Sequence, residues 1–131
     1  GLQATLRCRA FPTDTRLSIS QLAVCVTHTL ADAEAAAVQY FLVGHVGDGT
    51  FHLVYLIDPN DAAHLALVER LTASGVAHAL SLGGTCTGEH GIGLHKRGFL
   101  LREAGDEAVH AMRAIKQALD PLGILNPGKI F

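Results

Sequence analysis

Asp48-Gly49 separates two runs rich in Val, Phe, Tyr and Leu, Gln39 to Val46 and Phe51 to Ile57. A turn dipeptide of this kind between two such runs calls for a β-hairpin. If the dipeptide forms a two-residue loop, the register follows by counting: Gly47 opposes Thr50, Val46 opposes Phe51 and His45 opposes His52. Directly opposed residues share a face, with Cβ atoms roughly 4.5–5.5 Å apart. Two imidazoles at that separation can converge on one metal ion. A hairpin built only for stability has no need of histidines there. Both faces are apolar: Phe41, Val43, Val54 and Leu56 share the histidine face, and Leu42, Val46, Phe51 and Tyr55 take the other. A sheet of this kind must be covered on both sides.

The chain has 131 residues, about one domain's worth. A formal net charge of −2 provides no basic footprint for nucleic acid. No apolar run reaches membrane-spanning length. The chain opens Gly1-Leu2-Gln3 and its one methionine is Met112, so it reads as an excised piece of a longer protein. Cys8, Cys25 and Cys86 lack CxxC spacing and are expected as reduced thiols in a cytoplasmic protein, with Cys86 a small buried residue.

Around the hairpin, Ala10 to Ser20 reads as an extended entry segment containing Pro12. Ser20 is the expected N-cap of a helix through Leu22, Val26, Leu30 and Ala37. Asp58-Pro59-Asn60-Asp61 ends the second strand and caps a helix bearing Leu65, Val68, Leu71, Val76, Ala79 and Leu80, with Gly75 a weak interior point. Gly83 to Gly98 carries six glycines in sixteen residues and is expected as a loop. A helix from about Asp106 to Leu119 follows and ends at Asp120-Pro121. The order helix, hairpin, helix, glycine loop, helix suits an α+β sandwich, with an antiparallel sheet and helices on one face.

The glycine loop lacks both the phosphate-loop pattern and GxGxxG after a strand. Its glycines instead permit unusual backbone angles and the close approach of another surface. Glu89 and His90 sit between Gly88 and Gly91, on a segment too polar for core. Glu89 with His45 and His52 makes a His₂Glu set, suited to Zn²⁺ or Mn²⁺ with a position left open. The competing reading makes the two strand histidines hydrogen-bonded core residues. His28, His64, His78 and His110 fall on expected helices and read as surface or packing residues. HExxH is absent, which excludes a zinc-protease reading.

Three blocks then carry a family resemblance. Gly44-His45-Val46-Gly47-Asp48-Gly49-Thr50-Phe51-His52 resembles the GHxGDGNxH segment of FAD-linked 2-hydroxy-acid oxidases and dehydrogenases. Gly83 to Gly93 resembles their GGTxxGEHGIG segment. Met112 to Phe131 resembles their closing MRxIKxxLDPxxILNPGKxF. The resemblance runs from about Pro12 to Phe131 and covers the D-lactate dehydrogenase, glycolate oxidase subunit and D-2-hydroxyglutarate dehydrogenase group of the vanillyl-alcohol-oxidase superfamily.

The resemblance implies that residues 1–131 form the C-terminal, ferredoxin-like cap domain of such an enzyme, with the N-terminal FAD-binding domain absent. It implies His45, His52 and Glu89 as metal ligands and His90 as the base that takes the substrate hydroxyl proton. It places Thr50 at a substrate-contacting position, where the family usually has asparagine, and Asn126 and Lys129 on a tail near the cofactor. Ser18 and Gln21 replace the usual proline and arginine, and neither Arg7 nor Arg9 is assigned to the substrate carboxylate. The implied cofactors are FAD and a divalent metal, Zn or Mn. The implied partners are a small 2-hydroxy acid, the FAD-binding domain and an electron acceptor that would draw the protein to a membrane periphery. Alone, the chain is expected to be inactive and to self-associate through its second apolar face. Two other readings use the same residues: a metal- or ligand-binding module without redox chemistry, and a structural subunit.

Overall fold

The computed structural model describes residues 8–131, so the opening Gly1-Leu2-Gln3 and Arg7 lie outside it. The chain divides into two compact units, Gly1–Gly88 and Glu89–Phe131.

The first unit is an α+β sandwich. Its strands are β1 (Arg9–Pro12), β2 (Thr15–Arg16), β3 (Tyr40–His45) and β4 (Thr50–Ile57), with helices α1 (Ile19–Ala35) and α2 (Ala62–Ser81). Among the described residues, every pairing between these four strands is antiparallel and involves β4. On one edge β4 meets β1 and β2 in a single register, Pro12 opposite Val54 and Thr15 opposite Phe51. These two segments therefore run as one entry strand interrupted at Thr13-Asp14. The Thr13 amide bridges the gap by donating to the Leu53 carbonyl at 3.0 Å, and the Leu53 amide donates to Thr13 Oγ1 at 2.9 Å.

Because β4 is central, its two faces do different work. Phe51, Leu53, Tyr55 and Ile57 point to the helices and are buried with Ala33, Val38 and Val68 in one cluster and Leu17, Leu22, Cys25 and Ala79 in another. Burying a side chain such as Leu53 contributes about 1.5–3 kcal/mol. The opposite face carries Thr50, His52, Val54 and Leu56, and its neighbours on β3, Phe41 and Val43, are 48% and 55% exposed. The helices α1 and α2 thus cover one face of the sheet, as expected for an α+β sandwich with helices on one face.

The helices begin and end for local reasons. Asp61 caps α2 as expected, its Oδ1 accepting from the amides of Ala63 and His64 at 3.0 Å each. At its far end Gly83 adopts φ 75°, and the Gly84 amide returns to the Ala79 carbonyl at 2.8 Å, which stops the helix and launches the glycine loop. The interior Gly75 lies against Thr29 of α1, a close approach between helices. The N-cap of α1 is Ser18 rather than Ser20, and it makes no side-chain cap bond, its Oγ lying 3.1 Å from Ser20 Oγ instead.

The second unit contains α3 (Arg97–Leu119), broken at Gly105, where φ is 78° and ψ 168°. The segment after this break matches the expected Asp106 helix. The segment before it is helical as well, so Arg97 and Gly98, expected in the glycine loop, belong to this helix. Lys116 and Asp120 pair at its end; Asp120 accepts from the Ile124 and Leu125 amides at 3.0 Å each, and Lys116 Nζ donates to the Leu125 carbonyl at 2.6 Å. No helix among the described residues is long and apolar enough to cross a membrane.

Candidate functional site

The hairpin exists, but its register differs by two residues from the counted one. His45 opposes Thr50, and His52 opposes Val43. The loop is longer than Asp48-Gly49: Val46–Asp48 form a 3-10 turn, and Gly49 closes it in the left-handed region at φ 73°. Two contacts from the entry strand impose this shape. The Leu17 amide donates to the Gly49 carbonyl at 2.9 Å, and Arg16 Nε donates to the Asp48 carbonyl at 3.0 Å. A side chain at Gly49 would place a Cβ 1.9 Å from the Leu17 carbonyl oxygen. A two-residue slip preserves the face, because strand faces alternate with period two. His45 and His52 become diagonal neighbours, with ring centroids 5.9 Å apart and planes at 83°.

His45 is exposed at the end of β3, while His52 is 7% exposed within β4. The Nδ1 atom of His52 is 3.1 Å from the Thr13 carbonyl oxygen. A carbonyl only accepts, so Nδ1 donates there, and the lone pair of the ring falls to Nε2. The same Nδ1 is 3.7 Å from Oδ1 of Asp14, a carboxylate 1% exposed. The other oxygen of Asp14 accepts from Thr87 Oγ1 at 2.8 Å and from the Gly88 amide at 2.9 Å. Gly88 has no room for a side chain: a Cβ would lie 2.8 Å from both Asp14 Oδ1 and Thr50 Cγ2. Further back, Thr85 and Arg16 exchange backbone bonds, the Thr85 amide donating at 2.8 Å. The opening of the glycine loop is therefore laid along the entry strand as an extra edge of the sheet.

Thr50 lies on the histidine face opposite His45 and is 4% exposed. Glu89 and His90 open the second unit immediately after Gly88. His90 Nε2 is 4.0 Å from Glu89 Oε1, and both side chains are about half exposed, at 42% and 52%. Asn126 takes φ 45°, Lys129 donates its amide to the Asn126 carbonyl at 3.1 Å, and the Ile130 amide donates to the Gly93 carbonyl at 2.8 Å. Within the second unit the closing tail is thus tied to the later part of the glycine loop. Cys86 is fully buried, as a small packing residue would be.

Asp14 is the residue that the sequence analysis passes over. The available signal was a lone aspartate in the segment just before a helix, where a buried charge demands partners. Pairing that segment with β4 is what makes Asp14 a neighbour of His52.

The donor types fit a divalent cation. Two imidazoles on one sheet face, one with its Nδ1 committed to a carbonyl, are the kind of set that zinc and manganese take, with a carboxylate to complete it.

Comparison with known proteins agrees with the sequence blocks. The family described as FAD linked oxidases, C-terminal domain, matches residues 5–130. A probable mitochondrial D-lactate dehydrogenase of Danio rerio is 42% identical over 95% of this chain and 25% of its own length. A mitochondrial D-lactate dehydrogenase [cytochrome] of Arabidopsis thaliana is 40% identical over 93% of this chain and 22% of its own. Glycolate oxidase subunit GlcD of Bacillus subtilis is 43% identical over 67% of this chain and 19% of its own. The chain therefore spans about a quarter or less of the length of these relatives.

Proposed function

Because the chain belongs to the family of FAD linked oxidases, C-terminal domain, we propose that it forms the substrate and metal part of an enzyme that oxidises a D-2-hydroxy acid to the 2-oxo acid. The substrate class rests on relatives named as acting on D-lactate and glycolate. The observation that carries the reading is the pair of imidazoles on one face of β4 and β3, with His52 Nδ1 donating to the Thr13 carbonyl behind it.

His45, His52 and Glu89 would hold a divalent ion, Zn²⁺ or Mn²⁺. Glu89 enters this set through the family motif and through its place next to Gly88, whose amide Asp14 holds. When bound, such an ion would supply acidification of the substrate hydroxyl, and FAD, held mainly by an FAD-binding domain of the full-length enzyme, would supply the acceptor for the α-hydrogen as hydride. His90 takes the hydroxyl proton on a ring nitrogen, so the substrate loses one hydride and one proton. Thr50 lies beside this chemistry and would shape the pocket. Asn126 and Lys129 would contact the cofactor from the tail that Gly93 anchors. The exposed Phe41 and Val43 give the histidine face an apolar surround on which a neighbouring domain can close and exclude water.

The test is metal content by elemental analysis and affinity by calorimetry on the folded chain, beside His45→Ala and Glu89→Ala. Stoichiometric Zn²⁺ or Mn²⁺ binding lost in both variants is the expected result. Binding that survives both substitutions would remove these residues from the site. The chain alone is expected to give no turnover of D-lactate or glycolate with a dye acceptor.

A further inference from the structure

We propose that Asp14 is a positioning residue for this centre: its carboxylate holds His52 in the Nδ1–H tautomer and pins the glycine loop at Thr87-Gly88. This inference deepens the metal reading above and rests on it for its consequence, though not for its geometry. A carboxylate 1% exposed needs partners, and the two oxygens of Asp14 face both the glycine loop and His52. Oδ2 takes the Thr87 hydroxyl and the Gly88 amide at 2.8 and 2.9 Å. Oδ1 faces His52 Nδ1 at 3.7 Å, on the side where the Thr13 carbonyl already accepts at 3.1 Å. The carbonyl accepts the Nδ1 proton and the carboxylate charge lies on the same side, so the two together favour the proton on Nδ1 and the lone pair on Nε2.

A loop anchor alone needs only an acceptor, which an asparagine oxygen supplies equally well. What asparagine cannot do is offer acceptors in both directions. If its oxygen keeps Gly88, its NH₂ turns a donor toward the His52 Nδ1–H. If it flips, the Gly88 amide meets a donor. The carboxylate is the group that serves loop and imidazole together. The absence of a Cβ at Gly88 makes that possible, since one would lie 2.8 Å from Asp14 Oδ1.

The experiment reads His52 directly, by ¹⁵N ring chemical shifts of the folded, metal-free protein, and then titrates in Zn²⁺. In the native sequence, His52 is expected to show one protonated Nδ1 and one unprotonated Nε2. Asp14→Asn should mix the tautomers and weaken Zn²⁺ binding at least tenfold, the range for loss of a partner that orients a metal-binding histidine. Thr87→Val removes one partner of Asp14 without touching the imidazole and should leave the tautomer unchanged. A native His52 protonated on Nε2 overturns the proposal even if Asp14→Asn fails to fold. So does an Asp14→Asn protein whose tautomer and Zn²⁺ affinity match the native ones. Failure of the native protein to take up Zn²⁺, with the Nδ1–H tautomer intact and disturbed by Asp14→Asn, would sink the metal reading while sustaining the role of Asp14.

Discussion

The amide of Leu17 donates to the carbonyl of Gly49 at 2.9 Å, so the entry segment holds the hairpin turn in place from outside the hairpin. The contact leaves no space above Gly49, whose φ of 73° already excludes most side chains. Gly49→Ala should therefore cost about 2 kcal/mol or more, combining left-handed strain with the clash against Leu17. Urea unfolding checks this, and a loss below about 0.5 kcal/mol would show that the turn relaxes freely. Because His45 and Thr50 flank the turn, the His45–His52 geometry should be disturbed in the same variant.

The cap of α2 is a separable contribution. Asp61→Ala removes the acceptor for the Ala63 and His64 amides and should destabilise the protein by about 1 kcal/mol, while Asp61→Asn retains most of the effect. Equal losses from both substitutions in thermal unfolding would contradict a capping role.

Tyr55 presents the opposite case. Its ring is fully buried in the main core, yet its hydroxyl has no hydrogen-bond partner among the described residues. Burial, reinforced by the charge of Asp32, pushes the phenol up from 10.0 to about 12. The native state thus holds this proton more tightly than the unfolded chain does. Its contribution is fully present below pH 10 and is lost as pH rises from 10 through about 12. Tyr55→Phe should abolish that alkaline loss and, at neutral pH, raise stability by about 1 kcal/mol. A clear destabilisation at neutral pH would show that the hydroxyl is satisfied in solution.

Asp120 should make the tail acid-sensitive. The hydrogen bond from Lys116, together with the Leu125 and Ile124 amides, holds its carboxyl below the ordinary carboxylate range. A depressed value in the folded state means that the stabilisation is present above the ordinary range and disappears as pH falls through the folded one. Hydrogen exchange at Ile124 and Leu125 should accelerate at low pH and be fast at all pH values in Asp120→Ala. Unchanged protection in that variant would show that the Lys116–Leu125 contact suffices.

Much of this was legible in the sequence, for physical reasons that also mark where legibility stopped. Period-two alternation gave the faces of β3 and β4 correctly: Phe41, Val43, Val54 and Leu56 do lie with the histidines, away from the helices. Asp61 announced its helix through its own side chain. The register was different, because it depends on Leu17 and Arg16, which act on the turn from a strand distant in sequence. Asp14 escaped for the same reason. Its neighbours His52 and Gly88 lie 38 and 74 positions further along the chain, and only the collinear register of β1 and β2 against β4 brings them together. The Arg97 turn of α3 was obscured by Gly98 and by the break at Gly105, which interrupts the periodicity that identifies Asp106 to Leu119.

The interleaving of core and site along β4 has a consequence for how this domain can change over evolutionary time. Phe51, Leu53, Tyr55 and Ile57 alternate one by one with Thr50, His52, Val54 and Leu56. Inserting or deleting a single residue between Thr50 and Ile57 would turn part of the strand over, sending aromatic bulk toward the site and an imidazole into the core. The histidine face in a lineage built on this strand can therefore drift by substitution, or by length changes in its loops. The spacing within the strand itself is locked, because the same eight residues are read twice, once from each side.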